Sequence, residues 1–327
     1  MNTTSITSSN FSVSRRNNPP NKTNVSANIA LVYPKPLGRA VQNMIACSTS
    51  GDCVAFCSSG CIFNSTDFGK TFKTTILPVG LDSIAMSSTG LYQVSASTGD
   101  PVCNVYISSN FGDTWANKYT AGSNIGRYIE CVAIDNTGQY VFVGGGGSAG
   151  YRNYVSIDFG ATFKQSNPLS FRQACCFNNN NKRALYLDYS GPPQTRLCYT
   201  PANGTLGEVI LSYCPTVVTM PFSVTNDPTG NFVAYNSRNT EYIAFSSDAG
   251  ATFVARLSPR FLHIMYTNSA VLWGNTDTAI HKSTDHGVTW TVVLSALPKV
   301  MSFVVNPTMT RIFFVHSNGD IKVHSLV

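Results

Sequence analysis

An eight-residue pattern, Ser-x-Asp-x-Gly-x-Thr-aromatic, recurs along the chain and constrains its fold more than any other feature. Four copies begin at Ser65, Ser156, Ser246 and Ser283, and a fifth copy at Ser108 has Asn in place of Asp. The spacing of the copies divides most of the 327 residues into units of similar length. Self-similarity of this kind predicts a repeat architecture in which each unit is one small piece of secondary structure.

Each position of the octapeptide has a physical role in a tight turn. The Asp or Asn at position 3 accepts hydrogen bonds from the backbone N–H groups that follow it. Glycine at position 5 supplies a positive φ, Thr at position 7 begins a strand, and the aromatic residue enters a core. We therefore assign a structural role in hairpin turns to Asp67, Asn110, Asp158, Asp248, Asp285, Gly69, Gly112, Gly160, Gly250 and Gly287.

The octapeptide resembles the Asp-box, or BNR repeat, of sialidases, sortilin-type receptors, xyloglucan-degrading glycosidases and photosystem assembly factors. The resemblance implies a β-propeller in which the repeat joins the third and fourth strands of a blade, away from the ligand face. Because these families perform unrelated functions, the resemblance implies a fold and no particular activity.

A second repeated signal precedes each octapeptide, namely two apolar runs separated by a polar turn with glycine. Residues 44–51, 83–90 and 131–138 show it, and it predicts the first hairpin of a four-stranded unit. The interval between Asp158 and Asp248 is two periods wide. Residues 200–205, in its middle, keep the turn character without the Asp and the aromatic residue, which gives six units.

A seventh unit is predicted from strands at 301–305, 311–315 and 321–324, after which the sequence ends. Three strands would leave an open sheet edge, and the apolar run 29–33 fits as the strand that fills it. We therefore predict an all-β fold over residues 27–327, a seven-bladed β-propeller with Asp-box turns, closed by an N-terminal strand. Six blades is the alternative.

The net charge of +6 is concentrated at the N-terminus. Residues 1–51 contain five basic and no acidic residues, which leaves 17 basic and 16 acidic residues from Asp52 onward. Residues 1–26 are rich in Ser, Thr and Asn and are predicted to form a basic arm that does not fold alone. The arm is either a solvated tail or, through residues 1–39, a docking segment for an acidic protein partner. Its five charges are too dispersed to predict a nucleic-acid partner.

The composition predicts a surface that is polar without being ionic, as is common on extracellular and virion proteins. Charged residues make up 12% of the chain, about half the usual share. No apolar run reaches the length of about 18 residues that predicts a membrane span, and the N-terminus lacks an apolar signal region. We predict a non-enzymatic structural or protein-binding propeller, a component of a larger assembly such as a virion or an extracellular surface structure.

One column of residues is a candidate ligand site at a mouth of the central channel. Alignment of the first strands brings together Asn43, Asp82, Glu130, Gln173 and His263, with Phe222 and Ser302 in the same column. Asp82 and Glu130 would lie on neighbouring blades, and a carboxylate pair is what a glycosidase requires. A glycoside hydrolase or a glycan-binding lectin is therefore the alternative function. A hydrated channel mouth without a ligand is the simpler interpretation of the same residues.

No catalytic residue, metal or cofactor is predicted. The run 145–150 fits G-x-G-x-x-G but leads into a strand, so no helix N-terminus is available for a phosphate. The ten cysteines include no CxxC pair, and no HExxH motif is present. Cys57 and Cys61 are spaced to bridge a hairpin in an oxidising compartment, but the sequence favours reduced thiols. The Arg-Ile-Pro motif that a sialidase-like activity would require is missing.

Overall fold

The structure is a computed structural model that describes most of the repeat region and two short N-terminal segments. The residues described are 3–6, 25–27, 44–58, 60–77, 80–97, 103–121, 128–146, 152–166, 171–178, 183–189, 195–200, 209–213, 221–237, 239–267, 271–317 and 319–327. Within them all regular structure is β, arranged as 29 strands in seven antiparallel sheets.

Two short strands precede the repeats, and each sheet then follows in chain order. The first two strands are β1 (Thr3–Ile6) and β2 (Val25–Ala27). Sheets 1 to 3 contain β3 (Ile45–Cys47), β4 (Val54–Ser58), β5 (Cys61–Ser65) and β6 (Phe72–Ile76); β7 (Leu81–Met86), β8 (Gln93–Ser97), β9 (Cys103–Ser108) and β10 (Ala116–Ala121); β11 (Tyr128–Ile134), β12 (Val141–Gly146), β13 (Arg152–Ser156) and β14 (Lys164–Ser166).

The remaining four sheets repeat this meander. Sheets 4 and 5 contain β15 (Phe171–Asn178), β16 (Arg183–Tyr189), β17 (Thr195–Thr200) and β18 (Val209–Tyr213); β19 (Pro221–Asn226), β20 (Val233–Ser237), β21 (Tyr242–Ser246) and β22 (Val254–Leu257). Sheets 6 and 7 contain β23 (His263–Tyr266), β24 (Leu272–Asn275), β25 (Ile280–Ser283) and β26 (Thr291–Leu294); β27 (Val300–Val305), β28 (Arg311–His316) and β29 (Ile321–Ser325).

The sheets form a closed ring of seven blades. The first strand of each blade contacts the first strand of the next, from β3 through β7, β11, β15, β19, β23 and β27, and β27 contacts β3 again. The first strands are therefore innermost, and the predicted seven-bladed β-propeller is confirmed. The predicted fourth unit is sheet 4, although its degenerate turn at 201–205 lies outside the described residues.

An N-terminal strand closes the ring, as predicted, but at a different position. β2 pairs with β29, with Val25 opposite Val323, and completes blade 7 as its fourth strand. The predicted closing strand at 29–33 lies outside the described residues. β1 adds a fifth strand to blade 1 by pairing with β6. The predicted arm therefore contributes two strands to sheet edges, because an unpaired edge offers backbone hydrogen bonds to any extended segment.

The hydrophobic cores lie between neighbouring blades. Phe56 and Phe72 of blade 1 pack with Phe313 and Val323 of blade 7, and similar clusters fill the other six interfaces. Each fully buried side chain of this size stabilises the fold by roughly 1.5–3 kcal/mol, so the ring depends on every interface. In the described part of the chain, no helix has the length and apolar character needed to cross a membrane.

Candidate functional site

The octapeptides form hairpin turns in which the position-3 carboxylate uses both oxygens. In blade 1, Asp67 Oδ1 accepts the Thr71 N–H at 2.9 Å and Oδ2 accepts the Thr71 hydroxyl at 2.6 Å. The equivalent oxygens of Asp158, Asp248 and Asp285 make the same two contacts with the Thr four residues later. The carboxylates therefore hold their own turns together.

These hydrogen bonds keep the carboxylates ionised. The hydroxyl of Thr252 and its N–H lower the pKa of Asp248 to about 2, and those of Thr289 do the same for Asp285. Burial alone would raise the pKa of Asp67, but its hydrogen bonds, led by those from Thr71, lower it below its usual range. A carboxylate held in this state is a poor general acid near neutral pH.

The blade 2 turn shows that the negative charge is dispensable for this geometry. Asn110 Oδ1 accepts the Thr114 N–H at 3.0 Å, and Asn110 Nδ2 donates to the Thr114 hydroxyl at 2.8 Å. The amide thus reproduces both contacts, with the direction of one hydrogen bond reversed.

Positions 1 and 4 of the octapeptide also shape the turn, in addition to the roles expected for positions 3, 5, 7 and 8. The position-1 serine is central, since Ser65 Oγ donates to Asp67 and accepts the Gly69 N–H at 2.9 Å. Position 4 also has a positive φ, between 58° and 65°, in all five copies, although none of its residues is glycine. Those residues are Phe68, Phe111, Phe159, Ala249 and His286. The serine is repeated in all five copies, so the sequence could have indicated its role. The residue type at position 4 varies and gave no indication of a positive φ.

Position 4 contributes to the contact with the preceding blade. The ring of Phe159 lies 4.8 Å from that of Tyr92 in blade 2, and the ring of His286 stacks at 4.0 Å on Phe232 of blade 5. The left-handed backbone costs about 1 kcal/mol or more for a residue with a side chain. The ring contacts across the blade interface offset part of that cost.

The candidate channel-mouth residues on the described strands lie at the end of the propeller opposite the octapeptide turns. Each blade is an antiparallel meander, so the start of its first strand and its third turn point in opposite directions. Asp82 in β7 and Glu130 in β11 lie near the start of adjacent inner strands. Gln173 has the same place in β15. The side chains of these three residues, and the whole of Asn43, lie outside the described residues.

A β-bulge marks this position in five blades. The register shifts fall between residues 81 and 83, 129 and 131, 172 and 174, 221 and 223, and 300 and 302. The bulged residues are therefore Asp82, Glu130, Gln173, Phe222 and Met301. A bulge redirects one side chain relative to the regular ladder, and it recurs at functional rims of β-structures.

The structure corrects the predicted column at two residues. The Ile264 N–H donates to Ser223 Oγ in the preceding blade, as the Val132 N–H donates to Ser83 Oγ. His263 therefore follows the bulge position by one residue, and Ser302 follows Met301 in the same way. Alignment on apolar runs alone missed the shift, because such runs do not show which residue of a first strand pairs with the neighbouring blade.

His263 is enclosed between blades and is not presented to the channel solvent. Its side chain is 4% exposed, and its ring lies edge-on to Phe222 at 5.2 Å. Of the predicted column, the residues at the same bulged position of their inner strands are Asp82, Glu130, Gln173 and Phe222.

No protein-family model matches the sequence, and no curated protein matches it either. In the described part of the chain, no group of three or more His, Cys, Asp or Glu residues is placed to hold a metal ion. None of the nine cysteines there forms a disulfide, and Cys57 and Cys61 are among the nine.

Proposed function

We propose that this chain is a non-enzymatic structural or protein-binding propeller that forms part of a larger assembly, such as a virion or a surface structure. The observation that carries the proposal is the apolar outer rim of two neighbouring blades. Val254 and Leu257 on the outer strand of blade 5 are 55% and 66% exposed, and Val288 and Val292 of blade 6 are 62% and 52% exposed. Large exposed apolar side chains on two adjacent blades favour a protein partner.

The repeated octapeptides support a structural role. We propose that they are Asp-box repeats, since the hydrogen bonds of their Ser, Asp, Gly and Thr residues fix the turn and position the next strand. Four aspartates with depressed pKa values are committed to these turns. Their role is accordingly to stabilise the ring that presents a binding surface.

The charge distribution supports a second contact through the N-terminus. The body from Asp52 onward is nearly neutral, whereas residues 1–39 carry five positive charges and no negative charge. We propose that this segment contributes to binding an acidic protein surface, with a contribution that weakens as salt screens it.

Cross-linking mass spectrometry of the chain in its native assembly tests the proposal. We expect cross-links from Lys22 or Lys35 in the basic segment, and from Lys282 in blade 6, to a different polypeptide. Deletion of residues 1–24, which spares β2, should weaken that association in low salt. A chain that yields only internal cross-links, and whose associations are unchanged by the deletion, would contradict the proposal.

A glycoside hydrolase or a glycan-binding lectin at the channel mouth is the second candidate. It is favoured by the placement of Asp82 and Glu130 at the same bulge on adjacent inner strands. Turnover and binding assays on sialosides and β-glucans, repeated with Asp82→Asn and Glu130→Gln, distinguish the two functions. We expect no turnover from the wild-type chain, and turnover that those variants lose would establish the hydrolase instead.

A further inference from the structure

A cavity opens between blades 2 and 3 at the octapeptide end of the propeller, opposite the channel mouth. Its volume is about 270 Å³, near the lower end of the range for small-molecule sites. Two aromatic rings form part of its wall, and four polar side chains surround them. These six residues are Tyr92, Phe159, Ser109, Thr114, Lys118 and Asp158.

Thr114 differs from the other four octapeptide threonines in what its hydroxyl group does. In those four copies the threonine hydroxyl donates its hydrogen to the position-3 carboxylate. In blade 2 the bond is reversed, because Asn110 Nδ2 donates to the Thr114 hydroxyl at 2.8 Å. An amide nitrogen accepts no hydrogen bond, so the Thr114 hydrogen is available to a ligand. The exchange of Asp for Asn therefore occurs in the octapeptide whose threonine lines the cavity.

A β-bulge in β10 provides a second donor by aiming Lys118 at the cavity. The register of β10 shifts between Asn117 and Tyr119. Lys118 lines the cavity, and the next ring, that of Tyr119, lies 4.7 Å from Tyr154 of blade 3. A regular strand would turn one of two successive side chains away, which the bulge prevents. Lys118 is exposed and forms no ion pair within the part of the chain that the structure describes.

Asp158 and Phe159 of blade 3 supply an acceptor and an apolar face. Asp158 Oδ2 accepts the Thr162 hydroxyl at 2.6 Å, which leaves a lone pair of that oxygen for a donor on a ligand. The ring of Phe159 is 41% exposed although it lies 4.8 Å from that of Tyr92. The cavity thus combines an accessible aromatic surface with donors and an acceptor beside it.

We propose that this cavity binds a neutral hexopyranose, such as the terminal sugar of a glycan. Each sugar hydroxyl both donates and accepts, so one sugar accepts from Thr114 and Lys118 and donates to Asp158. The C–H face of the sugar ring is apolar and packs on Phe159. One positive and one negative side chain line the cavity, so its charge does not favour an ionic ligand. The inference goes beyond the proposed assembly role and does not involve the channel mouth.

Ligand-observed NMR of the full chain with the methyl glycosides of glucose, galactose, mannose and N-acetylglucosamine tests the proposal. We expect at least one of the four to bind. Asn110→Asp should weaken that binding about fivefold, because the new carboxylate takes the Thr114 hydroxyl hydrogen, as in the other four turns. The variant should keep its fold, since those turns already contain Asp. The matched control is Asp248→Asn, the reverse exchange in blade 5, which should leave binding unchanged.

A second variant tests the aromatic surface. Phe159→Ala should weaken binding about tenfold, because the sugar loses the ring on which it packs. Alanine suits the backbone at position 4, where Ala249 has a φ of 58° and Phe159 one of 60°. The control is Phe111→Ala, which removes an equally exposed position-4 ring outside the cavity and should not affect binding. Thermal unfolding of both variants checks that the fold is retained.

Three results would overturn the proposal. The first is that none of the four glycosides binds, and the second is that binding survives Asn110→Asp and Phe159→Ala unchanged. The third is that binding is lost in Asp82→Asn or Glu130→Gln, which would place the sugar at the channel mouth instead. None of these results bears on assembly with another polypeptide, which the cross-linking experiment tests separately.

Discussion

Gly69, in the octapeptide turn of blade 1, packs against Val323 in the third strand of blade 7. A Cβ atom built on Gly69 would lie 3.0 Å from Val323 Cγ2, and the φ of Gly69 is +76°. The same relation joins the octapeptide glycine of other blades to the third strand of the blade before, in the pairs Gly112 with Asn64, Gly160 with Ile107 and Gly287 with Ile243. One repeated contact therefore both spaces successive blades and closes the ring.

Substitution of these glycines by alanine should destabilise the propeller in an order set by the available space. Gly287→Ala should cost more than Gly69→Ala, because a Cβ on Gly287 would lie 2.4 Å from Ile243 Cδ1. The left-handed backbone alone accounts for about 1–2 kcal/mol at either position. Urea unfolding of the two variants measures the difference, and equal losses would show that backbone strain alone limits these sites.

The octapeptide carboxylates should make the free energy of unfolding fall as the solution becomes acidic. The pKa of Asp248 and of Asp285 is about 2 in the folded chain, below the value of about 3.9 for an unfolded aspartate. Their contribution is therefore complete above about pH 4 and is lost as the pH falls through about 2. Urea unfolding at a series of pH values should show this loss, and a flat profile over that window would contradict it.

Asn110 shows what an octapeptide turn is like without the negative charge at position 3. Asp248→Asn should retain the turn, as Asn110 does, and should remove the acid dependence contributed by position 248. Asp248→Ala removes both acceptors and should cost about 1–2 kcal/mol near neutral pH. If the Asn and Ala variants proved equally unstable, the side-chain hydrogen bonds would not be what stabilises the turn.

Asn153 should be replaceable by an apolar residue with a gain in stability. Its side chain is fully buried in β13, and neither polar atom has a hydrogen-bond partner. The equivalent position in blade 2 is Val105, three residues before the octapeptide serine. An unsatisfied buried amide costs about 1–3 kcal/mol, so Asn153→Val should raise the melting temperature. A lower melting temperature would show that the amide is bound by a water or a ligand.

The two N-terminal strands, β1 and β2, should contribute unequally to the melting temperature. Deletion of residues 1–6 removes β1, which only adds a fifth strand to blade 1. Deletion of residues 1–27 also removes β2 and exposes the edge of β29, so it should lower the melting temperature much further. Calorimetry on both truncated chains tests this, and equal effects would exclude β2 as the closing strand.

The fold could be predicted from the sequence because the interactions of the octapeptide lie within a single turn. Ser65 bonds to Asp67 and to the Gly69 N–H, and Asp67 accepts from Thr71, all within one turn. The residue types therefore reveal the geometry directly. The closing strand was harder to place, since an apolar run such as 29–33 does not specify which edge a segment will reach.

The candidate site was less predictable for the same reason. The placement of Asp82 and Glu130 on adjacent inner strands followed from the repeat, but the assignment of His263 to their column was wrong by one residue. That error arose because the offset of His263 is visible only in the hydrogen bond between Ile264 and Ser223 of the neighbouring blade. The contact of His286 with Phe232 could not be predicted from the sequence either, because it joins two blades.

The most direct test of the central claim is a double-mutant cycle between Gly69→Ala and Val323→Ala, with free energies of unfolding measured in urea. If the octapeptide turn of blade 1 closes the ring against blade 7, removal of the Val323 methyl groups should relieve part of the cost of Gly69→Ala. The two changes should then couple by about 0.5 kcal/mol or more. Gly69→Ala with Val292→Ala, on a distant blade, should be additive. Additivity of Gly69→Ala with Val323→Ala as well would contradict the closed ring described above.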